Sequence, residues 1–138
     1  NVTTAGNYAA GILGYIIKSA SGEAPSLTVR DTVNEGNITG QTGIGGIVGL
    51  FHKDSAGGTH VLENVSNTGT VTGTSQVGGI VATISSQAAN GFDITISYRK
   101  AGLTGTDGND VVVGSDGNKK TTVITRLTAE DAAEGGAE

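Results

Sequence analysis

The chain has 138 residues, one domain's worth and enough to bury an apolar core. Gly occurs 24 times, Pro once, and Cys, Met and Trp never, which excludes collagen, a disulfide scaffold, thiolate metal ligands and cysteine nucleophiles. Eight Lys and Arg against thirteen Asp and Glu leave a net charge of −5, which opposes the counterion release that nucleic-acid binding draws on, so no nucleic-acid partner is expected.

Val, Ile and Thr together supply 43 β-branched residues, which fit pleated surfaces and suit helices poorly, so an all-β fold is expected. Leu, Ile, Val and Phe sum to 32 residues, about 23% of the chain, above the level of roughly 20% below which charged chains stay disordered. The longest apolar stretch, Ile12 to Ile17, contains Gly14 and falls far short of a spanning helix, so no membrane insertion is expected. Asn1 is not an initiator, and the expectation is a processed product or a piece of a longer protein.

Along the chain, the first stretch, Val2-Thr3 through Gly11-Ile12-Leu13-Gly14, reappears about 35 residues on. Asn37-Ile38-Thr39-Gly40 recurs 33 residues later as Thr70-Val71-Thr72-Gly73, and Ile44-Gly45-Gly46-Ile47-Val48-Gly49 recurs at the same offset as Val77-Gly78-Gly79-Ile80-Val81-Ala82. Gly36, Gly69 and Gly102 form a column with this spacing. Val111-Val112-Val113-Gly114, set under Gly78-Gly79-Ile80-Val81, marks a degraded fourth copy.

Each unit reads as three short β-branched runs: Ile38-Thr39 or Val71-Thr72, then Gly46-Ile47-Val48 or Gly79-Ile80-Val81, then Leu27 to Val33, Val61 to Val65 or Ile94 to Tyr98. The pattern predicts a parallel β-helix, a right-handed β-solenoid of about three to four coils whose equivalent residues stack about 4.8 Å apart. Coils are expected at about 1–35, 36–68 and 69–101, with a degraded coil at 102–127 and an acidic tail at 128–138. Ile47 should lie under Ile80 and then Val113, Ile38 under Val71, and Asn34 under Asn67, with glycine at the turns. A β-sandwich would show no stacked identity at a fixed period. Ankyrin repeats need helix formers where this chain has glycine pairs.

The block Asn64-Val65-Ser66-Asn67-Thr68-Gly69-Thr70-Val71-Thr72-Gly73 with Val77-Gly78-Gly79-Ile80-Val81, and its earlier copy Val33 to Gly40 with Ile44 to Gly49, resembles the GLUG-motif repeat of bacterial cell-surface proteins. The resemblance covers about residues 1 to 102 and implies tandem β-solenoid repeats within large secreted or wall-attached proteins, including adhesins and non-catalytic parts of some IgA-cleaving peptidases. It carries no catalytic residue, and Ala82 departs from the second glycine of the Gly-Ile-Val-Gly core.

No catalytic, cofactor or metal residue is assigned. Gly105 to Gly114 resembles one RTX-type calcium nonapeptide, with Asp107, Asp110 and Asp116 as ligands, but one copy is half a site and polar turns around a Val111 to Val113 strand are the preferred reading. His52 and His60, near Asp54 and Glu63, lack the helical i, i+4 spacing of zinc hydrolases and are read as solvated loop residues. Ser97-Tyr98-Arg99-Lys100 matches Ser-x-x-Lys without a companion motif. Gly43 to Gly49 has Val48 where a nucleotide loop needs glycine, and no helix follows. Asp31 and Glu35 have only Asn64 and Thr68 above them, too few acids for glycosidic or lyase chemistry. Asn1, Asn37 and Asn64 head N-glycosylation sequons that arise from composition.

The expected function is a non-enzymatic stalk or adhesive module of an extracellular bacterial surface protein. Its partners would be a host or glycan ligand and a second copy meeting the end coils as homo-oligomer or filament. The competing reading is a carbohydrate-binding or accessory domain of a secreted peptidase or polysaccharide-degrading enzyme, with contacts on loops such as Lys18 to Pro25 and His52 to His60 and glycan binding that depends on Phe51.

Overall fold

The computed structural model describes residues 1–18, 22–101, 103–104 and 111–127. Coil 1 carries β1 (Val2–Thr3), β2 (Ala9–Ala10), β3 (Leu13–Ile16) and β4 (Thr28–Asn34). Coil 2 carries β5 (Ile38–Thr39), β6 (Thr42–Gly45), β7 (Val48–Phe51) and β8 (Thr59–Asn67), with one 3₁₀ turn at Lys53–Ser55. Coil 3 carries β9 (Thr70–Thr72), β10 (Ser75–Gly78), β11 (Val81–Ile84) and β12 (Asp93–Tyr98). Strands β13 (Leu103–Thr104), β14 (Val113–Asp116) and β15 (Val123–Arg126) belong to a further coil.

Equivalent strands stack into four sheets, ordered β1-β5-β9-β13, β2-β6-β10, β3-β7-β11-β14 and β4-β8-β12-β15. Every pairing between them is parallel, so the chain is an all-β solenoid and not an antiparallel sandwich. Ile38 stacks on Val71, and Ile47 meets Ile80 through its N–H, which donates to the Ile80 carbonyl at 3.0 Å.

Two expectations need correction. Coils 1 to 3 each have four strands, not three, because Gly46-Ile47 and Gly79-Ile80 are bends between the second and third sheets. Ile47 and Val48 are both fully buried. Adjacent residues of one strand face opposite sides of a sheet, so two consecutive inward side chains mark a corner, which the sequence pattern had merged into one strand. The second correction is one of register: Val113 pairs with Val81, 32 residues away, while Ile80 donates to the Val112 carbonyl. Connections absorb such length changes while the ladders stay intact. The offset is 36 residues at Val2–Ile38, 33 at Ile38–Val71 and 28 at Thr95–Val123.

Inside, Val48, Phe51, Leu62, Ile80, Ile84, Phe92 and Ile96 belong to one apolar cluster, and Ile38, Ile44 and Val71 form a smaller one. Burying each such side chain contributes about 1.5–3 kcal/mol, so the interior carries the fold. Where the fourth sheet turns into the first, the interior is polar: Asn34 and Asn67 are buried and stacked. A Cβ at Gly46 would lie 2.6 Å from the Asn67 side chain and would also strike the Gly79 carbonyl. Most glycines are therefore required by close backbone approach; among the described residues only Gly43 and Gly91 have positive φ.

Candidate functional site

His60 departs from expectation: it is fully buried in β8. The Leu27 N–H donates to its Nδ1 at 3.2 Å, and its Nε2 lies 2.7 Å from the Ser55 carbonyl. A carbonyl only accepts, so Nε2 carries the proton and the ring is neutral. Burial lowers the His60 pKa, with the Ser55 hydrogen bond and Asp93 opposing. Its ring packs against Phe51 at 5.0 Å and Phe92 at 6.4 Å between centroids. The sequence signal for this role is period alone, since His60 stands level with Leu27 and Ile94, both apolar. His52 is half-buried and caps the 3₁₀ turn, its Nδ1 accepting from the Asp54 N–H at 3.2 Å. Hydrogen bonding from Lys53 lowers the Asp54 pKa, helped by the charges of Lys53, His52 and Lys18. The two histidines are not brought together as a metal or acid/base pair. Among the described residues, no group of three His, Asp or Glu side chains could hold a metal ion.

The remaining sequence candidates are accounted for by the ladders. Ser97 Oγ accepts from the Asn64 N–H at 3.0 Å, and the Lys100 carbonyl accepts from the Asn67 N–H at 2.8 Å, so both ends of the Ser-x-x-Lys string serve coil stacking. Asp31 and Asn64 stand level at the 33-residue offset but are skipped in the β4–β8 ladder, both at positive φ, and the Asn64 Nδ2 donates to Asp31 at 2.7 Å. Asn37 Oδ1 accepts from the Thr70 N–H at 2.9 Å, and Asn1 Oδ1 from the Asn37 N–H at 2.8 Å.

Asp107 and Asp110 lie outside the described residues, as do the tail and Gly102. Asp116 continues the column Ile16, Phe51, Ile84. Its carboxylate accepts from the Asn118 N–H at 3.0 Å and the Thr122 hydroxyl at 3.2 Å, which is turn chemistry. Asn118 in turn clips the last coil to coil 3: its Oδ1 accepts from the Phe92 N–H at 2.7 Å and its Nδ2 donates to the Phe92 carbonyl at 3.1 Å. Phe51 is fully buried, so it presents no ring to a sugar.

What the sequence reading missed is a groove on the outside of the third sheet, about 280 Å³ in volume, bordered by Tyr8, Leu50, Gln76, Thr83, Gln87 and Ser115. Register places Tyr8, Gly43 and Gln76 in one column, just before the paired Ala9, Ile44 and Val77. All three have positive φ, at 58°, 75° and 53°. The Tyr8 ring lies over Gly43, where a Cβ would come within 2.8 Å of its Cε1. Gln76 Oε1 accepts from the Thr83 hydroxyl at 2.8 Å. The signal was present as a column containing one glycine and two bulky residues. The 35-residue offset of coil 1 aligns the three, but their left-handed backbone is not legible in the sequence.

Comparison with protein-family models, curated proteins and solved structures finds no match to this chain. No helix among the described residues is long and apolar enough to cross a membrane.

Proposed function

We propose that this chain is a non-enzymatic spacer of a bacterial surface or secreted protein, a stiff rod segment whose length is set by coil number. The observation that carries this reading is the unbroken run of parallel ladders from coil to coil in all four sheets. Hydrogen bonds parallel to the axis resist bending and stretching together, and each added coil extends the rod by about 4.8 Å. The GLUG-like repeats support extracellular placement. End-to-end association with a second copy is supported by the end strands of the sheets, which among the described residues pair on one side only. Near them lie exposed apolar side chains, Ile12, Tyr15 and Ile17 at one end and Val123 and Ile124 at the other. A second reading, a carbohydrate-binding or accessory domain, is favoured by the groove beside Tyr8.

An antibody against the folded chain is expected to stain intact bacteria that produce the parent protein. Duplicating residues 36–68 is expected to lengthen the particle in X-ray scattering by about 4.8 Å while keeping it soluble. Staining confined to permeabilised cells would refute the surface role, and a duplication that thickens the particle without lengthening it would refute the rod.

A further inference from the structure

The geometry points to the groove on the third sheet as a binding site for a neutral saccharide of one or two pyranose residues. The inference rests on the second reading above and goes beyond it by naming the site and the ligand class.

Three observations carry it. The first is backbone conformation. Left-handed φ strains any residue with a side chain, and Asn or Asp tolerates it best. The other left-handed column obeys this rule with Asp31 and Asn64. In the column of Gly43 the chain instead carries Tyr8 and Gln76, neither a turn former, and both side chains border the same groove. Strain of this kind concentrates at ligand sites, where a side chain is held in place for a partner.

The second is the layout of the walls. Of the neighbouring outward column Tyr15, Leu50, Thr83, Ser115, the last three border the groove, so that wall is aliphatic at coil 2 and hydroxylic toward the last coil. Tyr8 adds an aromatic edge and Gln76 and Gln87 add amides. A pyranose has the matching division, with an apolar C–H face that lies against aromatic rings and hydroxyl edges that need paired donors and acceptors. Tyr8, the one tyrosine bordering the groove among the described residues, is 38% exposed, so its ring is open to a ligand.

The third is charge and size. The described walls contain no carboxylate, Lys or Arg, and His52 is their one imidazole. Uronates, phosphates and cationic ligands would find no counter-charge there. A volume of about 280 Å³ sits at the small end of ligand clefts, which start near 300 Å³, and so fits a short saccharide rather than a long chain.

Glycine is the least strained residue at both left-handed positions, so Tyr8→Gly and Gln76→Gly delete the contacts without endangering the fold. The test is a glycan array with the intact chain, using neutral glucan, galactan, mannan and N-acetylglucosamine oligomers alongside uronate oligomers. Calorimetric titration of the two variants against the best binder follows. The expected result is selective binding of a neutral oligomer, weakened about tenfold or more by each variant, with thermal unfolding as cooperative as in the parent. Neutral-glycan binding undiminished in both variants overturns the groove assignment while leaving the saccharide-binding reading standing. Binding to uronates alone overturns the neutral-saccharide assignment while leaving the carbohydrate-binding reading standing, and binding to no glycan overturns both.

Discussion

The Nδ2 of Asn34 donates to the Oδ1 of Asn67 at 2.8 Å, joining two buried side chains 33 residues apart in sequence. Asn67 passes the chain on, its Nδ2 donating to the Ala101 carbonyl at 3.3 Å, and its Oδ1 also accepts from the Gly69 N–H at 3.1 Å. An amide can donate and accept at once, so it can stack indefinitely with copies of itself along the axis. The glycines opposite it exist to make room.

Replacing Asn67 with Ala therefore orphans a buried N–H at Gly69, while the Asn34 Nδ2 keeps its bond to the Gly36 carbonyl at 2.8 Å. One such orphan costs about 1–3 kcal/mol, so urea unfolding is expected to show a loss of at least about 1 kcal/mol. Gly46→Ala, whose methyl would meet both the Asn67 side chain and the Gly79 carbonyl, is expected to cost more, about 4 kcal/mol or above. A cheap Gly46→Ala variant would contradict the ladder geometry.

His60 predicts a pH dependence. Its folded pKa is depressed by burial, so below about pH 6.5 the unfolded chain takes up a proton that the folded chain refuses. More protons on the unfolded state means that stability rises with pH. Stability is therefore complete above pH 6.5 and declines on acidification toward the folded pKa, by at most about 1.4 kcal/mol per pH unit from this group. Denaturation series from pH 8 to 5 should show that decline in the parent and a flatter one in His60→Gln. An identical slope in both chains would rule His60 out as its source.

Asn118 holds the last coil through both backbone polar groups of Phe92. Asn118→Ala is expected to cost about 1–3 kcal/mol and to raise hydrogen exchange in β15 before it affects β8, the central strand of the same sheet. Uniform acceleration across the solenoid would indicate that the last coil does not fray separately.

Val123 and Ile124 are 48% and 41% exposed in β15, the last strand of the fourth sheet among the described residues. If copies join end to end, sedimentation should show mass rising with concentration, and Val123→Lys with Ile124→Lys should return the chain to monomer. Because both side chains are exposed, the double variant should change stability by no more than about 0.5 kcal/mol per site. Self-association that persists in the variant places the contact elsewhere.

Period and composition were enough to read the all-β class, the coil stacking, the Ile38–Val71 column and the Asn34–Asn67 ladder. A solenoid repeats the same environment at the same interval, so stacked residues resemble one another in the string. Features that do not repeat were invisible. His60 reads as a loop histidine because its burial depends on Phe51, Phe92 and the Leu27 backbone, which come from three coils. The division of Gly46-Ile47-Val48 into a corner and a strand depends on which way consecutive side chains point. Tyr8, Gly43 and Gln76 fall into line at the 35- and 33-residue offsets, but their left-handed backbone and the groove beside them depend on the wound chain. Local spacing determines which residues stack; only the wound chain decides what lies across the interior and what gathers on one outer face.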